Sequence, residues 1–394
     1  MNRRERLMAT MRGESVDRVP VCFYEINGFD ENPNDSDPMN VFNDPSWKPV
    51  LDLAREKTDR IVMRSIPFHA ADSDGASSEE AWAALDIVPD FLPGHRSEET
   101  WQDEHGSKFT RITLQSEDHK LECVTRRDPE TNTIWTVEPL LKNTDDLEVL
   151  LGFPRSEPAM VPDVSAVLDA EQRLGETGIV MLDTYDPLCV PLLLFDMQEF
   201  VMTASLEPDL FHALLRLCAE VIQARVEAVC RVLPGRLWRI YGPEAATPPM
   251  LSPSRFSELV VQYDKPIIET IQRHDGYARI HAHGRVKDVL DQIATTGCDG
   301  LDPIEPPPQG DIELGFVREK YGRQMVLFGN LEAADIENLS TEAFREKVAA
   351  AIEQGTAGEG RGFVLMPSGS PYGRKITAQT VRNYETMVEM VEKG

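Results

Sequence analysis

The strongest constraint on this sequence is a repeated alternation of short apolar runs with longer helical stretches from Thr144 onward. Alternating strand–helix units with short buried strands predict a parallel sheet covered by helices. The predicted strands are Ile179–Tyr185, Arg236–Tyr241, Tyr277–Ala282, Gly300–Ile304, Gln324–Gly329 and Gly362–Met366. The predicted helices cover about 208–233, 254–274, 285–295, 311–321, 341–354 and 377–392.

Two earlier apolar runs complete the set of strands. They are Val19–Tyr24 and Ile61–Arg64, and with them eight strands are predicted. Eight such units fit an α/β fold of the (β/α)8 TIM-barrel type, and 394 residues fit one such domain covering 1–394. An open doubly wound sheet is the alternative fold. It is disfavoured because no glycine-rich dinucleotide-binding turn follows any of the strands.

Residues 65–140 have a different pattern from the rest of the chain. Short alternating runs occur at Lys108–Leu114, Lys120–Arg126 and Thr133–Glu138, and polar turns separate them. Alternation with a period of two residues is typical of half-buried antiparallel strands. We therefore predict a hairpin-rich insertion in the N-terminal third of the barrel.

The charge and cysteine content limit the partners and the compartment. The net charge is −27, with 67 acidic and 40 basic residues, so we expect neither nucleic acid nor an anionic membrane surface as a partner. No apolar run approaches the roughly 20 residues that span a bilayer. The 6 cysteines form no CxxC pair, and the basic N-terminus lacks the apolar segment of a signal peptide. These features predict a cytoplasmic protein.

Polar side chains collect at the predicted strand ends, where barrel enzymes carry their catalytic groups. We predict catalytic roles for Tyr185, Asp302, Glu305 and Asn330 and substrate binding by Tyr24, Glu25, Asp183 and Tyr241. Ser368 and Ser370 follow the last strand. Because Asp, Asn and Ser also cap helices, a capping role stays open for Asp302, Asn330 and Ser370.

His281 and His283 form a His-x-His pair at one strand end. In extended chain, residues two apart point to the same face, so both imidazoles could reach one metal ion. Glu244, after the preceding strand, is a plausible third ligand, and zinc accepts this donor set. Spacing alone leaves a second interpretation open, in which the pair binds substrate or transfers protons without a metal.

Four blocks of sequence resemble the uroporphyrinogen decarboxylase superfamily. They are RERLMATMRGESVDRVPV, IHAHGRVKDVLDQIATTGCDGLDPIEPP, VLFGNLEAADIENLSTEAFREKV and GFVLMPSGSPYGRKITAQTVRNYETMVEMV. The resemblance implies a (β/α)8 barrel and a homodimer. It also implies one of two chemistries. These are cofactor-free decarboxylation of uroporphyrinogen and zinc-dependent methyl transfer that involves corrinoid proteins.

The chain departs from both branches of that superfamily. The decarboxylase branch carries an arginine-rich motif after the first strand, where this chain has Tyr24 and Glu25. The methyltransferase branch has His-x-Cys where His281 and His283 stand, and a later cysteine where Ser368–Ser370 stand. A zinc site of His281, His283 and Glu244 would therefore lack thiolates and be more electrophilic.

Three functional hypotheses follow. The favoured one is a metal-dependent methyltransferase-like enzyme that moves a methyl group between a small substrate, for example an O-methylated one, and a corrinoid protein. The alternative is a metal-free lyase of a carboxylated substrate, in which Tyr185, Asp302 and the histidine pair transfer protons. The third is a binding protein that has lost catalysis.

Overall fold

The computed structural model describes residues 1–69, 96–116, 119–153 and 160–393. Part of the predicted insertion, residues 70–95, lies outside the described residues. The strands are β1 (Arg60–Arg64), β2 (Phe68–His69), β3 (Arg96–Gln102), β4 (Lys108–Ser116), β5 (His119–Arg127), β6 (Ile134–Glu138), β7 (Val161–Pro162), β8 (Gly178–Tyr185), β9 (Leu237–Tyr241), β10 (Tyr277–His281), β11 (Gly300–Asp302), β12 (Val326–Leu331) and β13 (Phe363–Pro367).

Helices follow most strands of the parallel sheet and cover its outer face. The described α-helices are Arg3–Met11, Lys48–Lys57, Thr144–Gly152, Ser165–Leu174, Cys189–Leu194, Met197–Leu206, Pro208–Val232, Gln262–Arg273, Leu290–Thr295, Leu314–Tyr321, Ala333–Asn338, Thr341–Thr356 and Ala378–Lys393. Within the described part of the chain, no helix is long and apolar enough to cross a membrane.

Seven strands form one curled parallel sheet in the order β1-β8-β9-β10-β11-β12-β13. Strand order follows chain order, as in a TIM barrel, and the fold is α/β and TIM-barrel-like. Six of the seven strands occupy the ranges predicted after Thr144, and β1 matches the predicted Ile61–Arg64. β11 ends at Asp302, before the predicted Ile304, because Pro303 has no N–H to continue the hydrogen-bond ladder.

The predicted first strand, Val19–Tyr24, is wrong as a regular strand. Only Val21 forms a parallel bridge, to Leu365 of β13. Pro20 lacks an amide hydrogen, and Tyr24 turns the chain with φ 54, so extended pairing cannot run further on either side. The short segment still joins both edges of the sheet. Cys22 N donates to Leu365 O at 3.1 Å, and Asp59 N, just before β1, donates to Val21 O at 2.7 Å.

The core has two layers. Inside the curled sheet, apolar side chains from the strands pack against Leu7 and Met11, so the helix Arg3–Met11 closes the amino end of the barrel. A larger cluster fills the space between the strands and the surrounding helices. These layers leave the carboxyl ends of the strands as the open end of the barrel.

Strands β3, β4, β5 and β6 form a separate four-stranded antiparallel sheet. Its β5–β6 turn is attached to the loop after β13. Thr131 and Gly373 form an antiparallel bridge, and Asn132 N donates to Tyr372 O at 2.9 Å. Arg374 strengthens this junction, because its Nε donates to Pro129 O at 2.8 Å. The antiparallel sheet is thus anchored beside the carboxyl end of the barrel.

Replacement of Asp59 tests the connection between the two sheet edges. Asp59 is fully buried, and its carboxylate pairs with Arg6 and Arg18 and accepts from Val21 N at 3.0 Å. We expect Asp59→Ala to lower the free energy of unfolding by about 3 kcal/mol, because buried arginine charge loses its partner. Urea denaturation measures this loss. The control, Asp52→Ala, removes an exposed pair with Lys48 and should cost under about 1 kcal/mol. Equal losses in the two variants would contradict the interpretation.

Candidate active site

A cavity of about 310 Å³ opens at the carboxyl ends of the parallel strands. It is lined by Tyr24, Glu25, Arg239, Tyr241, Glu244, His281, His283, Ser368, Gly369, Ser370 and Tyr372. Six of these residues are among those predicted from the strand ends. The other predicted residues stand behind the lining or beside it, as described below.

Strand register brings the lining residues together. His281 of β10 lies opposite Tyr241 of β9 and Asp302 of β11, and Tyr241 lies opposite Tyr185 of β8. Residues two apart in a strand share a face, so Arg239 accompanies Tyr241 and Arg279 accompanies His281. Parallel pairing therefore places side chains from sequence positions far apart at one end of the sheet.

His281 is held on both ring nitrogens. Its Nδ1 is 2.6 Å from Asp302 Oδ2, and its Nε2 is 3.2 Å from the Tyr24 hydroxyl. Asp302 is fully buried and also forms an ion pair with buried Arg279, whose Nε lies 2.8 Å from Asp302 Oδ1. Burial lowers the pKa of His281 to about 4, although Asp302 opposes this effect. His281 is therefore neutral near pH 7, with Nδ1–H donated to Asp302.

Tyr24 joins His281 to Arg239. Arg239 Nη1 donates to the Tyr24 hydroxyl oxygen at 2.6 Å, which leaves the hydroxyl hydrogen for His281 Nε2. The Tyr24 ring also stacks on the His281 ring, with 5.7 Å between centroids. Arg239 is itself fixed by two hydrogen bonds to Asp183, at 2.9 and 2.7 Å. The backbone of Tyr24 is left-handed, and strained residues of this kind concentrate at functional sites.

His283 faces the cavity with one nitrogen anchored. Its Nδ1 is 2.9 Å from Glu305 Oε1, and Glu305 Oε2 accepts from Gly284 N at 2.7 Å. Burial lowers the pKa of His283, but the hydrogen bond and the negative charges of Glu305 and Glu244 outweigh it and raise the pKa above its ordinary value. The anchored ring leaves Nε2 as the nitrogen that is available to a substrate.

Three carboxyl groups surround the cavity without an ion-pair partner among the described residues. Glu25 lies at the mouth, where Ser370 Oγ is 3.4 Å from its Oε2. Glu244 lines the wall, and its Oε2 is buried without a described hydrogen-bond partner. Glu332 lies behind Ser368, whose hydroxyl donates to it at 3.2 Å. Burial raises the pKa of each of the three carboxyl groups, that of Glu332 to about 7.

The remaining predicted residues are not among the described residues that line the cavity. Asp183, Asp302 and Glu305 hold Arg239, His281 and His283 in place, so they are positioning residues. Tyr185 packs against Tyr241, with 4.8 Å between ring centroids. Asn330 lies in β12 opposite Met366. Sequence reasoning missed Arg239, Arg279, Glu332 and Tyr372.

The predicted zinc ligands do not fit a metal in this arrangement. Among the described residues, no group of three or more His, Cys, Asp or Glu is placed to hold a metal ion. His281 offers no free nitrogen, since Asp302 and Tyr24 engage both. The rings of His281 and His283 stand perpendicular, at 90°. Zinc binding by His281, His283 and Glu244 stays a prediction that would require Tyr24 to move away.

Comparison with known families identifies the class of protein. Residues 172–393 match the family model of uroporphyrinogen decarboxylase (URO-D). This match covers more than half of the chain, so the chain belongs to the uroporphyrinogen decarboxylase family, and it is an enzyme of that superfamily. A search among curated proteins by sequence found no match.

Comparison with solved structures supports the fold. The chain resembles a methyltransferase from Methanosarcina mazei over 99% of both chains, with a TM-score of 0.58 and 16% identity. At this identity the likeness concerns the fold. A D-psicose 3-epimerase is similar over 59% of this chain and 85% of its own, with a TM-score of 0.36 and 10% identity, which is too distant to support any conclusion.

The pH dependence of stability tests the environment of His281. Its pKa is about 4 in the folded protein and about 6.5 in an unfolded chain. The unfolded state therefore binds the proton first, and stability falls as the pH drops from about 6.5 to 4. We expect this group to contribute up to about 1.4 kcal/mol per pH unit. Urea denaturation at several pH values should show a smaller slope for His281→Gln than for the native chain.

The matched control for this measurement is His105→Gln. His105 is exposed in the β3–β4 turn and does not line the cavity. Its replacement should leave the slope unchanged. An unchanged slope in His281→Gln would show that His281 takes up its proton as an ordinary histidine does.

Proposed function

We propose that this enzyme is methyltransferase-like and moves a methyl group between a small methylated substrate in the cavity and a corrinoid carried by a partner protein. The observation that carries the proposal is a small cavity at the open end of the barrel, around which the described residues Arg239, Arg279 and His283 each pair with a carboxylate. Such a cavity favours a small neutral or cationic molecule over a polycarboxylate. The likeness of fold to a methyltransferase over 99% of both chains is consistent with it.

His283 is the proposed proton donor for an O-methylated substrate. In that reaction the methyl carbon–oxygen bond would break, and a corrinoid on the partner protein would supply the nucleophile that accepts the methyl group. The electron pair stays on the oxygen, which takes its proton from His283 Nε2. Glu305 holds the ring in this orientation through Nδ1. General acid catalysis of this kind contributes about 10²–10⁴-fold to a rate.

Decarboxylation of uroporphyrinogen is disfavoured by the same cavity. Two N–H groups of Arg239 bind Asp183 and a third donates to Tyr24, so little of this guanidinium remains for a substrate carboxylate. Glu25 at the mouth would repel a polycarboxylate. Lysis of a smaller carboxylated substrate is the second candidate, and the family match is the observation that favours it.

Free cob(I)alamin provides a direct assay of methyl transfer. We expect the purified chain to accelerate the formation of methylcobalamin from at least one small methylated compound, detected by absorbance and chromatography. His283→Gln should slow this transfer by about 100-fold, because the leaving atom loses its proton donor. His105→Gln should match the native chain.

A parallel assay follows carbon dioxide release from uroporphyrinogen. We expect none above background, because Arg239, the arginine among the described lining residues, is already engaged by Asp183 and Tyr24. Carbon dioxide release together with no methylcobalamin from any compound would replace the proposed function with decarboxylation.

Zinc content is measured on untagged protein purified without added metal. The arrangement around His281 predicts less than one equivalent, since both ring nitrogens are engaged. One equivalent that is lost in His281→Ala would show instead that the site rearranges to bind zinc through His281, His283 and Glu244.

A homodimer and a cytoplasmic location are further parts of the proposal. The dimer rests on the family, and sedimentation velocity measures it. A reducing compartment is consistent with the six cysteines, all of which are buried free thiols.

A further inference from the structure

Three cationic side chains of the described residues around the cavity are each paired with a carboxylate. Arg239 pairs with Asp183 at 2.7 Å, and Arg279 pairs with Asp302 at 2.8 Å. The His283 ring meets Glu305 at 2.9 Å. These three pairs are close to neutral, so they neither attract nor repel a charged ligand strongly.

Glu25, Glu244 and Glu332 remain after this pairing. Glu25 and Glu244 line the cavity itself. Glu332 is only 6% exposed, and its Oε1, like Glu244 Oε2, is buried without a described partner. A buried carboxylate oxygen without a partner costs free energy, which a bound cation would offset. Glu244 carries one of these oxygens and lines the cavity, and Glu332 lies directly behind the lining, so the arrangement favours a positive charge in the cavity.

We propose that the cavity binds a small organic cation, a methylated ammonium or sulfonium ion, with Glu25 and Glu244 as its counter-ions. The positive charge of the ligand is inferred from the carboxylates. That the ligand carries a methyl group is inferred from the proposed function. The cavity of about 310 Å³ is at the lower end of the range for ligand sites, so the cation is small.

Aromatic walls complete the site for such a cation. Arg239 already lies over the rings of Tyr24 and Tyr241, at 5.8 and 5.1 Å from their centroids. Tyr372 is 60% exposed at the mouth, so its ring is available to a ligand. Methylated ammonium ions bind well to aromatic faces, because their charge is spread over weakly hydrated methyl groups.

A cationic substrate also accounts for release of the product. When the C–N or C–S bond breaks, the electron pair stays on nitrogen or sulfur, and the methyl carbon bonds to the corrinoid nucleophile. A sulfide that remains has lost the positive charge of the substrate, so it is attracted less to Glu25 and Glu244 and binds more weakly. An amine that remains takes up a proton near pH 7, so this argument for release applies to sulfonium substrates.

Calorimetric titration with choline and with 3,3-dimethyl-1-butanol tests the proposal, because these molecules have nearly the same shape and differ in charge. We expect choline to bind the full-length chain at least 10-fold more tightly, which is about 1.4 kcal/mol. Tetramethylammonium and trimethylsulfonium serve as further cations. Glu25→Gln and Glu244→Gln should each weaken choline binding several-fold, and the double variant should abolish the preference for charge.

The matched control is Glu104→Gln, which changes an exposed carboxylate in the β3–β4 turn and should leave choline binding unchanged. Circular dichroism and thermal unfolding verify that each variant is folded. Equal binding of choline and its neutral analogue overturns the proposal, as does the absence of binding by all three cations. Stoichiometric zinc binding that Glu244→Gln abolishes, with no competition from choline, also overturns it.

The test of the cation site can fail or succeed independently of the test of methyl transfer. Binding of cations without formation of methylcobalamin would reject methyl transfer and keep the cation site. Methylcobalamin formed from neutral ethers, with no binding of cations, would do the reverse.

Discussion

The buried ion pair between Arg279 and Asp302 underlies the geometry of the whole cavity. Both side chains are almost completely inaccessible to solvent, so neither charge can be left without the other. Asp302 uses its second oxygen to hold His281, and His281 receives the Tyr24 hydroxyl, which Arg239 also contacts. Arg239 in turn binds Asp183 of β8, so a continuous chain of polar contacts crosses the open end of the barrel from β11 to β8.

This chain of contacts divides the barrel interior into two zones. Below it, apolar residues such as Phe328 and Met181 pack against the helix Arg3–Met11. Above it, the cavity is lined by hydroxyl, imidazole and carboxyl groups. Arg279 spans the boundary, because its guanidinium lies 4.7 Å from the centroid of the Phe328 ring while it pairs with Asp302. The apolar layer keeps water away from the pair and so strengthens it.

The sequence predicts the strands well because buried parallel strands appear as short apolar runs. It predicts six residues of the cavity lining because they lie at the ends of such runs or just after them: Tyr24, Glu25, Tyr241, Glu244, His281 and His283. Sequence analysis missed Arg239 and Arg279, because these residues lie within their strands and not at the strand ends. Each arginine lies two residues before a polar residue at the strand end, Tyr241 or His281. Residues two apart share a face of a strand, so this spacing could have predicted that the arginines face the site. The pairing of Arg239 with Asp183 depends on strand register, which a single sequence does not specify.

The family match begins at residue 172, whereas Tyr24 and Glu25 come from the part of the chain before it. The matched segment contains β8 and all later strands of the parallel sheet. It therefore includes His281, Arg239 and Arg279. Tyr24 contributes the hydroxyl that contacts His281, and Glu25 contributes the carboxylate at the cavity mouth. The polar groups that line the cavity therefore come both from the matched segment and from residues before it.

The attachment of the antiparallel sheet to the loop after β13 has a consequence for how this protein can change. Asn132 donates to the carbonyl oxygen of Tyr372 and Thr131 forms a bridge with Gly373, and Tyr372 forms part of the cavity wall. Deletion or exchange of the sheet would release that wall. The antiparallel sheet and this part of the cavity wall are thus structurally connected. A change in the length of the β5–β6 turn would alter the position of Tyr372, and so the shape of the cavity, without a substitution in the barrel strands.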